Sequence, residues 1–299
     1  MSERRPPGPL RAWLHAARVP TLAASLVPVL VGSALAAHDR TFRAGPALAA
    51  LIGAVFIQIA TNLVNDLGDA RRGADTSERL GPRRALQMGW LSAGATRTGV
   101  VVCLALATLA GLYLLGAAGW PVVVIGLASI LAGIAYTVGP YPLAYHALGD
   151  LFVFLFFGVV AVCGTYFVQA RAIHPATLLA SVPVGALAAA ILVVNNVRDL
   201  ETDRAAGKRT LAVRLGRGAT RGFYRTLLLT AYLALFPLAA SGRMGPWALL
   251  PILTLPLGLA EIRRVAGHED GPTLNRALLG TARLHAIFGI LFALGIALA

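Results

Sequence analysis

Nine apolar stretches recur along this chain of 299 residues, and most are long enough to settle its fold class. A helix of roughly 20 apolar residues crosses a hydrocarbon core about 30 Å thick. The stretches run over Val19–Ala37, Ala44–Val64, Gly99–Ala118, Pro121–Val138, Gly149–Val168, Ala176–Val194, Thr226–Ala240, Pro246–Leu259 and Leu278–Leu298. With 57% hydrophobic and 13% charged residues, the polar segments between them are too few to coat a soluble domain. The expected architecture is therefore all-α, a polytopic membrane helix bundle of about nine spans forming one domain over residues 1–299. Pro237, Pro246, Pro251 and Pro256 interrupt the seventh and eighth stretches, which are expected to be the shortest and least regular.

A net charge of +13 invites comparison with nucleic-acid binders, but the charges are sorted by loop. Placing the N-terminus in the cytoplasm puts 22 of the 26 Lys and Arg residues inside, leaving only Arg40, Arg43, Arg171 and Arg243 outside. That is the positive-inside pattern of a membrane protein. It points to a multi-pass protein of the inner membrane, with lipid as its surroundings and no nucleic-acid partner. Cleavage after a signal-like Ala34-Leu35-Ala36 would remove a span and spoil this sorting, so none is expected. Cys103 and Cys163 both fall inside spans, as small apolar residues do.

Two polar loops, over residues 65–97 and 195–225, begin with matching patterns. The first carries Asn62, Asp66, Asp69, Gly73 and Thr76, and the second Asn195, Asp199, Asp203, Gly207 and Thr210. In each, Asn precedes the first Asp by four, while Gly and Thr follow the second Asp by four and seven; this is an internal repeat. Helical spacing of i, i+4, i+7 and i, i+4, i+8 predicts that each triplet shares one helix face at the cytoplasmic end of a span. Two acidic faces would then meet across a cavity open to the cytoplasm.

Seven of the 13 acidic residues lie in these two segments. Carboxylates so close to lipid are costly and repel one another, which calls for a cation. Oxygen donors without a His or Cys set suit Mg²⁺, which combines a few carboxylates with substrate phosphates. Five aspartates, a diphosphate of about −3 and two Mg²⁺ leave roughly −4 uncompensated. The cations Arg71, Arg72, Arg198, Arg204, Lys208 and Arg209 are interleaved with the motifs and can supply the difference, or serve only as topology charges. Lys208 stands out as the only lysine beside 25 arginines. A compact ammonium reaches a phosphate where a guanidinium fork does not fit, which makes Lys208 a candidate contact to the departing diphosphate.

The segments Asn62-Leu-Val-Asn65-Asp66-Leu-Gly-Asp69, with Gly73-Ala-Asp75-Thr76, and Asn195-Asn196-Val-Arg198-Asp199-Leu-Glu-Thr-Asp203, continuing to Gly207-Lys208-Arg209-Thr210, resemble the two Asp-rich motifs of the UbiA superfamily of intramembrane prenyltransferases. The segment from Tyr136 to Asp150, with Tyr145-His146 where the 4-hydroxybenzoate enzymes carry Lys-Arg, resembles the naphthoate branch of that superfamily. Arg18-Val19-Pro20 replaces the Arg-Pro common at the first span, and Gly81–Gly89 carries extra arginine.

The resemblance implies that Asp66, Asp69, Asp75, Asp199 and Asp203 hold Mg²⁺ on a polyprenyl diphosphate, with Asn62, Asn65 and Asn195 as neutral ligands or orienting groups. It further implies transfer of the prenyl chain to 1,4-dihydroxy-2-naphthoate with loss of CO₂, giving demethylmenaquinol. Tyr136, Tyr141 and Tyr145 can stabilise an allylic cation through their rings, or simply anchor the interface. His146 and Asp150 can engage the acceptor's hydroxyl or carboxylate. Acceptors such as 4-hydroxybenzoate or homogentisate remain open, as does, from another class, a cation-coupled transporter. A transporter favours acids near mid-span, whereas these stand at span ends.

Overall fold

The computed structural model describes residues 7–73, 80–241 and 243–299. Among them every regular element is helical. Helix α1 (Pro9–Ala17) is short and amphipathic, and it ends at Arg18, whose backbone is left-handed with φ 55°. A non-glycine residue rarely adopts that conformation, and here it turns the chain sharply into the bundle. Then follow α2 (Ala23–His38), α3 (Ala44–Arg71), α4 (Ala93–Ala118), α5 (Pro121–Ala135), α6 (Gly149–Ala170) and α7 (Pro175–Arg198). A single short turn of helix, α8 (Leu200–Ala205), precedes α9 (Leu211–Ala240), α10 (Gly245–Gly267) and α11 (Gly271–Leu298).

Seven of these helices are long and apolar enough to cross a membrane, while α2 and α5 are apolar but shorter. All coincide with the stretches read from the sequence, but the short ones are not those expected. The seventh and eighth stretches become α9 and α10, of 30 and 23 residues, whereas α2 and α5 have 16 and 15. The reason is that α9 continues back through Arg225, Arg221 and Arg217 to a kink at Gly216 (φ 77°, ψ 168°), beyond which one more turn reaches Leu211, a charged first half that an apolar count leaves out. Prolines do not shorten α10, because its first ten residues, Gly245–Thr254, wind as 3₁₀ turns that accommodate Pro251.

Helix α7 is the axis of the bundle. Its most apolar window is 78% buried, against 22% for α4, whose Val101, Leu109 and Leu112 point outward. Helix α6 approaches α7 through Gly158 and Gly185, and it takes a π-helical form over Phe154–Val160 at that contact. Small residues at a crossing let two backbones come close where no hydrophobic force distinguishes protein from lipid. The last helix, α11, closes against α2, with Gly289 packed on Val27.

At the end of the bundle opposite the acidic motifs, Asp39 accepts hydrogen bonds from Tyr166 and Arg243, each at 2.5 Å. Partial burial opposes its charge, yet these two bonds outweigh it and hold the carboxyl below its ordinary pKa.

Candidate functional site

Asn62, Asn65, Asp66 and Asp69 of the first motif lie on α3 and are all buried, as their spacing predicts. The second does not keep one face. The chain bends at Asp199 (φ −92°, ψ 11°), which ends α7 and begins α8, so Asp203 belongs to a separate short helix. The residue inserted between the paired aspartates of this copy is what the bend absorbs.

Both acidic sets are bound by arginine. Arg18 reaches Asp66 Oδ1 at 2.5 Å from its left-handed turn. Arg84 donates to Asp69 Oδ2 at 2.6 Å and to the Asn65 carbonyl at 2.7 Å, and lies 3.4 Å from Asp66 Oδ1. Arg198 grips Asp199 with two nitrogens, at 2.7 and 2.5 Å. The same guanidinium donates to Asn195 and Asn275 at 2.7 Å each, so a fully buried cation is satisfied on every side. Lys208 Nζ stands 3.6 Å from Asp203 Oδ1.

Tyr145 joins the two motifs. Its hydroxyl donates to Asp69 Oδ1 at 2.9 Å, and its carbonyl accepts from the backbone N–H of Arg209 at 3.2 Å. The Lys208 ammonium lies 5.5 Å from its ring centroid and the Arg72 guanidinium 5.0 Å, within cation–π range. Burial and the Asp69 charge push the Tyr145 hydroxyl well above its ordinary pKa, so it stays protonated and donates.

Tyr136 occupies the next position inward. Its hydroxyl packs against Gly149, the residue beside the buried Asp150. It also lines an apolar cavity of about 220 Å³ among α2 to α6, whose wall includes Ile57, Phe152, Phe156 and Phe157. One tyrosine thus touches the cavity on one side and the first turn of α6, with Asp150, on the other. Asp150, buried, meets the Asn196 amide at 3.4 Å.

Other candidates sit apart from this centre. Tyr141 is exposed and stacks on His146 at 3.6 Å between centroids, and His146 Nδ1 pairs with the Pro142 carbonyl at 2.8 Å. Arg72 donates to the Gly139 carbonyl at 3.0 Å. Asn62 donates to the Ala17 carbonyl at 3.0 Å, fixing α1, and Asn65 accepts from Thr137 at 2.8 Å. Asp75 lies outside the described residues. Sequence reasoning missed Arg18, Arg84 and Asn275 as site residues. Arg18 and the arginine excess in Gly81–Gly89 were visible as departures from a family pattern, and that excess was the signal for Arg84.

The donors at this centre are carboxylates, amides and hydroxyls, which suits a hard divalent cation. Among the described residues no three His, Cys, Asp or Glu side chains stand close enough to cage a metal alone, so a cation here would draw part of its shell from a phosphorylated ligand.

A sequence profile described as the UbiA prenyltransferase family matches residues 25–298. A protein of Escherichia coli (strain K12) named 1,4-dihydroxy-2-naphthoate octaprenyltransferase is 37% identical, covering 96% of this chain and 95% of its own. A protein of the same name from Mycobacterium tuberculosis is also 37% identical, covering 95% of each chain. Among solved structures, a UbiA homolog from Archaeoglobus fulgidus bound to GPP and Mg²⁺ superposes with a TM-score of 0.69 at 17% identity, covering 96% of this chain and 100% of that one.

Proposed function

This chain belongs to the UbiA prenyltransferase family, and on that footing we propose that it transfers a polyprenyl chain from its diphosphate to 1,4-dihydroxy-2-naphthoate with loss of CO₂. The observation that carries the reading is the apolar cavity lined by Tyr136 and, from α3, by Gln58 and Thr61, just short of the buried acidic end of that helix. A prenyl diphosphate has the same two-part chemistry, a greasy tail and a polyanionic head. Relatives named for the naphthoate reaction, sharing nearly the whole chain, support the acceptor. Because the sequence assigns 22 of its 26 basic residues to the side that carries the motifs, we place that end in the cytoplasm.

In this reading the tail lies in the cavity beside Phe152, Phe156 and Phe157, away from water. Asp66, Asp69, Asp199 and Asp203, with Asp75, would hold Mg²⁺, which would screen the charge of the diphosphate and favour its departure. Arg18, Arg84, Arg198 and Lys208 already line the carboxylates and neutralise the charge that carboxylates and diphosphate share. Tyr145 orients Asp69 and offers its ring toward a developing allylic cation, as does Tyr136. The electron-rich acceptor ring attacks that cation at the carbon bearing the carboxylate, and loss of CO₂ restores aromaticity.

Purified protein with a prenyl diphosphate and carboxyl-labelled naphthoate tests this directly. Label should leave as CO₂ only when Mg²⁺ is present and stop with chelator. Label retained in the prenylated product, preference for 4-hydroxybenzoate, or full activity in chelator would each overturn it.

A further inference from the structure

Five carboxylates among the described residues are buried: Asp66, Asp69, Asp150, Asp199 and Glu261. Four of them have an arginine within ion-pair distance, namely Arg18 or Arg84, Arg84, Arg198 and Arg264. Asp150, only 4% exposed, has no cationic partner among the described residues; its carboxylate meets only neutral amides, its own backbone N–H and the Asn196 side chain at 3.4 Å. Burying a carboxylate without a counter-ion costs several kcal/mol, and a bundle with so many arginines had means to avoid it.

The position of Asp150 gives that cost a purpose. It sits in the first turn of α6, next to Gly149, where an added β-carbon would stand 3.1 Å from the Tyr136 hydroxyl. Phe152 and Val153, shortly after Asp150, line the apolar cavity. Asn196 holds it from the segment between Asn195 and Arg198, within the second motif. A carboxylate neutralised by arginine is a poor proton acceptor, whereas one held only by an amide keeps a lone pair available.

We propose that Asp150 is the base that takes the proton from the acceptor's 1-hydroxyl as its ring attacks, and returns it after CO₂ leaves. This rests on the acceptor proposed above. The allylic C–O bond breaks with its electron pair on the diphosphate, and the ring carbon bearing the carboxylate supplies the pair of the new C–C bond. The 1-hydroxyl O–H bond breaks, its proton passes to Asp150 Oδ, and its electrons complete a C=O bond. The intermediate is then a β-keto carboxylate. Its C–CO₂ bond breaks, the pair restores the ring double bond, the carbonyl electrons return to oxygen, and that oxygen recovers the proton from Asp150. Atoms and charge balance, and Asp150 ends the cycle as it began. An acid–base shuttle of this kind contributes about 100-fold or more to rate.

The test compares wild type, Asp150→Asn and Asp150→Glu in detergent, with Mg²⁺, a prenyl diphosphate and either the natural naphthoate or a fluorinated analogue whose 1-hydroxyl is already ionised. Asp150→Asn should lower kcat about 100-fold or more with the natural acceptor, and far less with the ionised one. Its melting temperature and prenyl diphosphate Kd should stay at wild-type values, since a neutral amide replaces an uncompensated charge. Asp150→Glu should recover part of kcat. The role falls if Asp150→Asn keeps kcat within about threefold, or loses it equally with both acceptors. It falls too if prenyl diphosphate binding and melting temperature drop in parallel with kcat, or if Asp150→Asn matches Asp150→Glu. A wild-type protein that does not prenylate the naphthoate would overturn the activity itself, and normal wild-type turnover with an unaffected Asp150→Asn overturns only the shuttle.

Discussion

The Tyr145 hydroxyl donates to Asp69 Oδ1 at 2.9 Å, and so binds the loop after α5 to the acidic end of α3. Asp69 receives Arg84 on its other oxygen, at 2.6 Å, so both carboxylate oxygens are directed. Tyr145→Phe keeps the ring under Lys208 and Arg72 and removes only this bond. A hydrogen bond to a charged group contributes about 1.5–3 kcal/mol. Steady-state kinetics should show kcat/KM for prenyl diphosphate reduced about 10- to 100-fold, with little change in acceptor KM; wild-type kinetics would reduce Tyr145 to a structural tie.

Lys208 is the only lysine of the chain, and its ammonium stands between Asp203 and the Tyr145 ring, where a diphosphate bridging both motifs would lie. Lys208→Ala should lower kcat/KM for prenyl diphosphate at least about 10-fold and spare acceptor KM, while Lys208→Arg recovers only part. An unchanged Lys208→Ala would make it a topology charge.

Asp66→Asn and Asp199→Asn should each nearly abolish turnover, but with different effects on folding. Asp199 is the carboxylate partner of Arg198, whose side chain is only 1% exposed, whereas Asp66 faces Arg18, 31% exposed and able to turn to water, and Arg84, which keeps its pair with Asp69. Breaking a buried pair costs about 3–5 kcal/mol. Melting temperatures should therefore fall clearly for Asp199→Asn and little for Asp66→Asn. Equal shifts would contradict the difference in burial.

Gly185→Ala tests the helix crossing. An added β-carbon would stand 2.7 Å from the Phe154 carbonyl oxygen, a backbone atom that cannot swing aside. Overpacking of this kind costs about 1–3 kcal/mol, which should appear as a lower melting temperature with the prenyl diphosphate Kd nearly intact. A stability equal to wild type would mean that α6 and α7 separate easily.

Much of this arrangement was legible in the amino acids because it is local. Hydrophobic runs report helices in lipid, and Asn62, Asn65, Asp66 and Asp69 share a face by spacing alone. What escaped depends on contacts made across the chain. Arg18 and Asp66 are separated by 48 positions, and Arg198 and Asn275 by 77. Nothing in the local pattern distinguishes these arginines from those that merely set topology. The bend at Asp199 escaped for the opposite reason, since one inserted residue reads as a longer helical face until packing forces the turn. Asp150 was visible as a candidate, but that no cation among the described residues pairs with it appears only once the partners of the other four buried carboxylates are known.

The contact between Val27 on α2 and Gly289 on α11 bears on the order of synthesis. The first apolar helix leaves the ribosome long before the last, yet the groove it fills is completed only by that last helix. Until then α2 must wait in the bilayer with lipid where α11 will lie, and Asp39 must wait through 204 residues for Arg243. Removing α11 would therefore unseat α2 and, with it, the turn at Arg18 that precedes it, disabling the acidic centre through a helix that carries none of its aspartates.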